Sequence, residues 1–167
     1  GLGSGASGAA TISSNTTDTV VDSSCSGTSG ATALSATGSF SANDIIMIHQ
    51  TRGTGAGSWE LNQVASYVAG TITTTNALSN TYTDSGASQA QVLTVKQYSS
   101  LTVDSGFTLE AKQWDGNVGG ILCYMVSGAI TVNGTISAGN LGPGEGYSVN
   151  NQGYRGGPSA KGQVEGT

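Results

Sequence analysis

The sequence predicts an all-β protein, either a short β-solenoid or a β-sandwich whose second half is solenoid-like. The first observation is that short runs rich in Val, Ile, Thr and Tyr alternate with clusters of Gly, Ser, Asn and Asp, as strands alternate with turns. The second is that no window repeats apolar residues at a helical period. Residues 59–69 come nearest to a helix, but their side chains alternate about as well and glycines flank the run, so we interpret it as a strand.

The third observation is the scarcity of charge. Only 15 of the 167 residues are charged, whereas glycine, serine and threonine together account for 71. An average protein is about a quarter charged. This composition is typical of secreted β-proteins and fibres and is rare in cytoplasmic enzymes, so we expect an extracellular or cell-surface location.

The chain divides into three parts by composition. Residues 1–10 are small and glycine-rich and predict a flexible or extended N-terminal arm. Residues 11–138 carry the strand pattern and form the predicted β domain. Residues 139–167 contain nine glycines and almost no β-branched residues, which predicts a glycine-rich tail that cannot bury a core of its own.

Within the β domain, each apolar or alternating run bounded by turn residues predicts one strand. The predicted strands are Thr11–Ser13, Thr19–Asp22, Thr32–Ser35, Asp44–Gln50, Glu60–Tyr67, Thr71–Thr75, Ala90–Gln97, Ser100–Val103, Thr108–Ala111, Gly120–Val126, Ala129–Val132 and Thr135–Ser137.

Two of these regions resemble each other. Leu101–Ala111 and Ile130–Ala138 each contain a three-residue strand, a corner of Asp or Asn with glycine, and a second short strand. Glycine accepts the positive φ of such a corner, and the Asp or Asn side chain caps it, as in a β-solenoid turn. The alternative is two ordinary hairpins, because Asn-Gly is also a strong hairpin signal. The near-repetition favours the solenoid.

Charge and hydropathy exclude two classes of partner. The net charge is −5 and the five basic residues are scattered, so we expect no nucleic-acid binding, which needs clustered Lys and Arg. No apolar run approaches the roughly 20 residues of a membrane span. No signal peptide is visible, so an exported protein would have this sequence as its mature form.

The residues that could carry catalysis are few. Asp104, Glu110 and Asp115 lie near one another with Lys112 among them, and β-helix polysaccharide lyases and hydrolases display such groups on a sheet face. Solvated turn positions explain these acids more simply. His49 is the single histidine, without a neighbouring acid or cysteine cluster, which favours a packed histidine. We therefore predict no catalytic, cofactor-binding or metal-binding residues, and no enzyme activity.

The glycines of Gly53–Gly57 resemble the start of a phosphate-binding loop. The motif lacks the Lys-Ser/Thr that should follow, and no helix pattern comes after it. A turn or bulge is the favoured interpretation.

Two pairs of residues carry further hypotheses. Cys25 and Cys123 could form a disulfide in an oxidising compartment, or remain two free buried thiols. Trp59 and Trp114 could stack on a sugar, although in a chain with so few large residues a core role is favoured.

The stretch from about residue 44 to 157 resembles a recurring module of large bacterial surface proteins, the β-solenoid entry segment of secreted adhesin-like and fibre-like proteins with glycine-rich regions. The residues that carry the resemblance are Asp44–Gln50, Gly53–Gly57, Trp59-Glu60, Gly70–Thr73, Ala77–Tyr82, Gln91-Val92, Trp114–Gly116, Gly119–Leu122, Asn133–Ser137 and Gly153–Gly157. The resemblance implies a structural or adhesive role and brings no catalytic or metal residues with it.

We therefore expect a non-enzymatic extracellular protein without cofactors that assembles with copies of itself into fibres or oligomers. Low charge weakens the repulsion that keeps β-edges apart, and solenoid ends are open edges. Extended termini could add strands to a neighbour. The alternatives are a module that binds glycans or a receptor and, less favoured, a β-helix enzyme that cleaves polysaccharide.

Overall fold

A computed structural model describes residues 3–138, which form strands and turns without a helix, so the all-β prediction is confirmed. The predicted tail, residues 139–167, lies outside the described residues. The strands are β1 (Ala9–Ile12), β2 (Thr16–Thr17), β3 (Asp22–Gly27), β4 (Ala33–Ala36), β5 (Ile45–Arg52), β6 (Trp59–Val68), β7 (Thr71–Thr74), β8 (Gln89–Thr94), β9 (Lys96–Tyr98), β10 (Ser100–Val103), β11 (Thr108–Glu110), β12 (Tyr124–Val126), β13 (Ile130–Val132) and β14 (Thr135–Ser137).

Strands β3 to β8 form a closed barrel with the order β3-β4-β7-β6-β5-β8, in which all neighbours are antiparallel. Alternation places one face of each strand inside the barrel. On β5 these inward residues are Ile46 and Ile48, which are fully buried, and on β8 they are Ala90 and Val92. The core is filled mainly by aliphatic side chains, together with the aromatic rings of Phe40 and Tyr82.

The closed barrel is a finding that neither predicted architecture contains. Its closure depends on pairing β3 with β8, for example Asp22 with Leu93, across about 70 residues of chain. The run Asp22–Gly27 contains serine, cysteine and glycine, and lacks the β-branched residues that mark a strand. The sequence alone therefore does not predict β3, and without β3 the sheet would remain open. Residues 22–27 become a strand because they pair with β4 and β8.

The remaining strands pair only in parallel, and we call them the parallel stack. One sheet has the order β1-β10-β13, a second β14-β11-β2, and a third consists of β12 and β9. The chain runs through β1 and β2, makes the barrel, and returns to lay β9, β10 and β11 beside them. Strands β12, β13 and β14 then form a third layer.

The two similar segments of the sequence lie on top of each other in this stack. Leu101 pairs with Ile130, and Leu109 with Ile136. Strands β10 and β11 belong to different sheets, so the hairpin alternative is wrong. Leu101, Val103 and Leu109 form the buried centre of the stack, because the middle layer is covered from both sides.

Other strands begin at residues that differ from those predicted, and local contacts explain the differences. The predicted strand Gly120–Val126 begins only at Tyr124, because Gly120 adopts a φ of 72° and donates its N–H to the carbonyl of Lys112. The predicted strand Thr19–Asp22 is replaced by β3, which starts at Asp22. Strand β2 is only two residues long and was not predicted.

The N-terminal residues 3–8 lie against the outer face of the stack. The amides of Ser4 and Ser7 donate to the side-chain and main-chain oxygens of Gln97, respectively. A Cβ on Gly3 would come within 2.7 Å of the Cβ of Met125. The segment is therefore docked on β9 and β12, and the predicted arm boundary at residue 10 falls inside β1.

Two ion pairs hold the stack, one within it and one between it and the barrel. Lys96 of β9 lies 2.7 Å from the buried carboxylate of Asp18, which follows β2. Lys112 lies 2.9 Å from Asp22 at the start of β3. Within residues 3–138 these two lysines make all the salt bridges, and only the Lys112–Asp22 pair connects the stack with a barrel strand.

Candidate functional site

The acids considered for catalysis do not form a pair in the structure. Asp104 lies in the turn after β10, and Glu110 is exposed on β11. Asp115 caps its own loop, since its Oδ1 accepts the N–H groups of Asn117 and Val118. Partial burial raises the pKa of Asp115, but these hydrogen bonds and nearby Lys112 outweigh burial and leave the pKa below its ordinary value. Asp115 therefore stabilises a turn.

His49 is buried on the outer face of the barrel, in a polar cluster that sequence reasoning missed. Its Nδ1 lies 3.2 Å from Oγ1 of Thr51. Gln91, which is opposite His49 on β8, donates to Oγ1 of Thr51 and to the carbonyl of Gly119, and accepts the N–H of Gly119. Gln91 thereby fixes the loop of residues 112–120 against the barrel, next to the histidine in the strand pairing. No sequence signal connects Gln91 to Gly119, because they are 28 residues apart.

Burial lowers the pKa of His49, so the neutral imidazole is the folded form. A histidine pKa that is lower in the folded state contributes stability at high pH, and this contribution is lost as the pH falls below the unfolded pKa of about 6.5. We expect the free energy of unfolding of the wild type to fall below pH 6.5 by up to about 1.4 kcal/mol per pH unit more steeply than that of His49→Gln. Denaturant titrations at several pH values check this. Parallel curves would contradict it.

The two cysteines are free thiols, so the structure contains no bond between them. Cys25 lies in the barrel core, and burial raises its pKa. Cys123 precedes β12, and burial raises its pKa to about 11. Both thiols are therefore protonated and weakly nucleophilic at neutral pH.

The core interpretation is wrong for Trp59, whose side chain is 56 % exposed at the start of β6. Leu61 lies two residues further on the same face and is also exposed. Trp114 is half-buried in the loop after β11. Trp59 and Leu61 thus form an exposed apolar strip on the barrel.

The glycines of Gly53–Gly57 form the connection from β5 to β6, which confirms the turn interpretation. The N–H of Gly57 donates to the carbonyl of Gln50, and that of Ala56 to Gly53. A strand follows where a phosphate loop would need a helix.

The two ends of the parallel stack are the most distinctive surface of the molecule. Within residues 3–138, β1 and β13 each pair only with β10, and β2 and β14 only with β11. The last layer leaves Ile130, Val132 and Ile136 exposed at 59 %, 47 % and 41 %. The first two align with the buried Leu101 and Val103 of the middle layer. The last layer is thus an apolar sheet edge without a covering layer in the described part of the chain.

Among residues 3–138, no three His, Cys, Asp or Glu side chains come together in a way that could hold a metal ion. The same residues contain no helix suited to crossing a lipid bilayer. No protein-family model matches the chain, and no curated protein matches it significantly.

Proposed function

We propose that this chain is a non-enzymatic extracellular structural or adhesive protein that self-assembles through its β-edges, and that its parallel stack is a short β-solenoid. The observation that carries the proposal is the open stack, which has edge strands and exposed apolar residues at its last layer. A sheet edge of this kind is a template for pairing with another chain. Contiguous exposed apolar residues favour the same outcome.

Electrostatics support association of these ends. Residues 124–138, which include the last layer, contain no charged residue, and neither do residues 3–17 of the first layer. Asp18, which follows the first layer, is paired with Lys96. Natural sheet edges are commonly protected by lysines or prolines, and these edges have neither. Since residues 3–8 pack on their own chain, we place the assembly at the strand edges and not at the N-terminal arm.

The proposal is tested by light scattering and negative-stain microscopy of the full chain over a concentration series. We expect oligomers or filaments whose mean mass grows with concentration above the 16.5 kDa monomer. Val68→Lys serves as a matched surface control, because Val68 is exposed on the barrel at β6 and should not affect assembly. A monodisperse monomer at every concentration would refute the proposal.

Glycan binding is the second candidate, and exposed Trp59 favours it. Exposed tryptophans stack on sugar faces, and Leu61 extends the apolar strip beside it. A glycan array with the full chain should then give hits that Trp59→Ala removes and Trp114→Ala reduces less. An array without hits removes this candidate.

A further inference from the structure

We propose that the interface between copies is head-to-tail: the last layer of one molecule, β13 and β14, pairs in parallel register with the first layer of the next, β1 and β2. This inference rests on the proposed function and specifies its partner, a second copy of this chain.

The residue columns of the stack continue across such a junction. In one sheet, Ala10, Leu101 and Ile130 form one column. Ile12, Val103 and Val132 form the next column on the same face. A following copy in the same register would place its Ala10 over Ile130 and its Ile12 over Val132. The exposed apolar residues of the last layer would then be buried as those of the middle layer are.

The main-chain groups at both ends are directed outward in complementary positions. The carbonyl of Ala129 accepts from Leu101 and the N–H of Asn133 donates to Val103, so these two residues face β10. Because successive residues of a strand direct their groups to opposite sides, Ile130 and Val132 direct theirs to the open side.

At the first layer, the carbonyls of Gly8 and Ile12 face β10, where they accept from Ser99 and Asp104. The alternate residues Ala9 and Thr11 therefore direct their groups to the open side. A parallel ladder between the layers of two molecules joins these two sets in the pattern already present inside one molecule.

The two ends differ, so the contact does not close on itself. A symmetric contact would join two last layers or two first layers. The strands in contact would then run antiparallel, or their residues would not line up in the columns described above. A head-to-tail contact between different surfaces generates an open filament when its rotation does not return to the start. The side chains of the two ends also suit each other, since Ala10 and Ile12 would cover the exposed Ile130 and Val132.

Two edge-blocking variants of the full chain test the geometry. Thr11→Pro removes the outward N–H of the first layer, and Val132→Pro removes that of the last layer. By the alternation described above, neither N–H is directed toward β10. Each variant alone should remain at the 16.5 kDa monomer mass. An equal mixture should form particles of twice that mass and no larger, because each molecule retains one complementary end. Thr11→Val and Val132→Thr keep the N–H groups and should assemble like the wild type.

The masses of the two variants and of the wild type decide between head-to-tail assembly and its alternatives. If both proline variants assemble like the wild type, self-assembly stands but uses another surface, and the head-to-tail inference is wrong. If one variant dimerises alone, like ends pair with each other, which also overturns it. A monomeric wild type removes the proposed function together with this inference. If a proline variant loses its β circular dichroism, Ile12→Lys and Ile130→Lys replace the pair with the same expected complementation, since both side chains lie in the columns that meet at the junction.

Discussion

Replacing Gln91 with leucine should lower the free energy of unfolding by about 3 kcal/mol, because three buried polar groups each lose a hydrogen bond at once and, within residues 3–138, only one of them has another partner, His49. These groups are the hydroxyl of Thr51 and the N–H and carbonyl of Gly119. An unsatisfied buried group costs roughly 1–3 kcal/mol, and the surrounding chain relaxes to recover part of the sum. Denaturant unfolding measures the loss, and hydrogen exchange at the Gly119 N–H reports release of the loop directly.

Gln89→Leu is the matched control for this change. Gln89 lies two residues earlier on the same strand and also reaches the loop of residues 112–120, but its bond to Asn117 is exposed to solvent. We expect a loss below about 1 kcal/mol for this variant. Equal losses for the two variants would show that Gln91 does not hold the loop.

Replacing Ile48 with alanine should cost about 2–5 kcal/mol, the range for removing a large side chain from a well-packed core. Ile48 is fully buried at the centre of the barrel. Ile130→Ala removes the same atoms from an exposed position and should change the stability of the monomer by no more than about 0.5 kcal/mol. Thermal or denaturant unfolding of dilute protein separates the two. A small effect at Ile48 would contradict the closed core described above.

The same pair of variants distinguishes stability from assembly. Ile48 contributes to the fold of one molecule, whereas Ile130 is assigned to contact between molecules. Ile130→Ala should therefore weaken self-association while leaving unfolding of the monomer nearly unchanged. Ile48→Ala should do the opposite as long as the barrel remains folded.

Sequence reasoning placed the strands best where alternation was clear. Ser100–Val103 and Thr135–Ser137 match their predictions at both ends. Both belong to the two similar segments, whose near-repetition favoured a solenoid over two hairpins, and the structure pairs these segments in parallel. Strand β3 was misplaced because its serines, cysteine and glycine have weak strand propensity of their own.

The candidate sites, like the strands, were only partly predictable from the sequence. Open sheet ends could be expected from low charge and near-repetition, and the structure adds which apolar residues are exposed there. The exposure of Trp59 could not be predicted, since alternation does not tell which face of a strand will be covered. The cluster of His49, Gln91 and Gly119 had no signal at all, because hydrogen bonds between distant residues leave no pattern in composition or spacing.

What the amino-acid order determined alone is local: an all-β chain, most of its short strands, its glycine turns and its nearly uncharged surface. These properties depend on propensity and periodicity over a few residues. The tertiary structure decided that β3 meets β8 to close a barrel, that Gln91 bonds the loop of residues 112–120 to the barrel, and that the stack ends in exposed apolar residues. Each of these depends on contacts between segments far apart in the chain, whose energies appear only once the chain is folded.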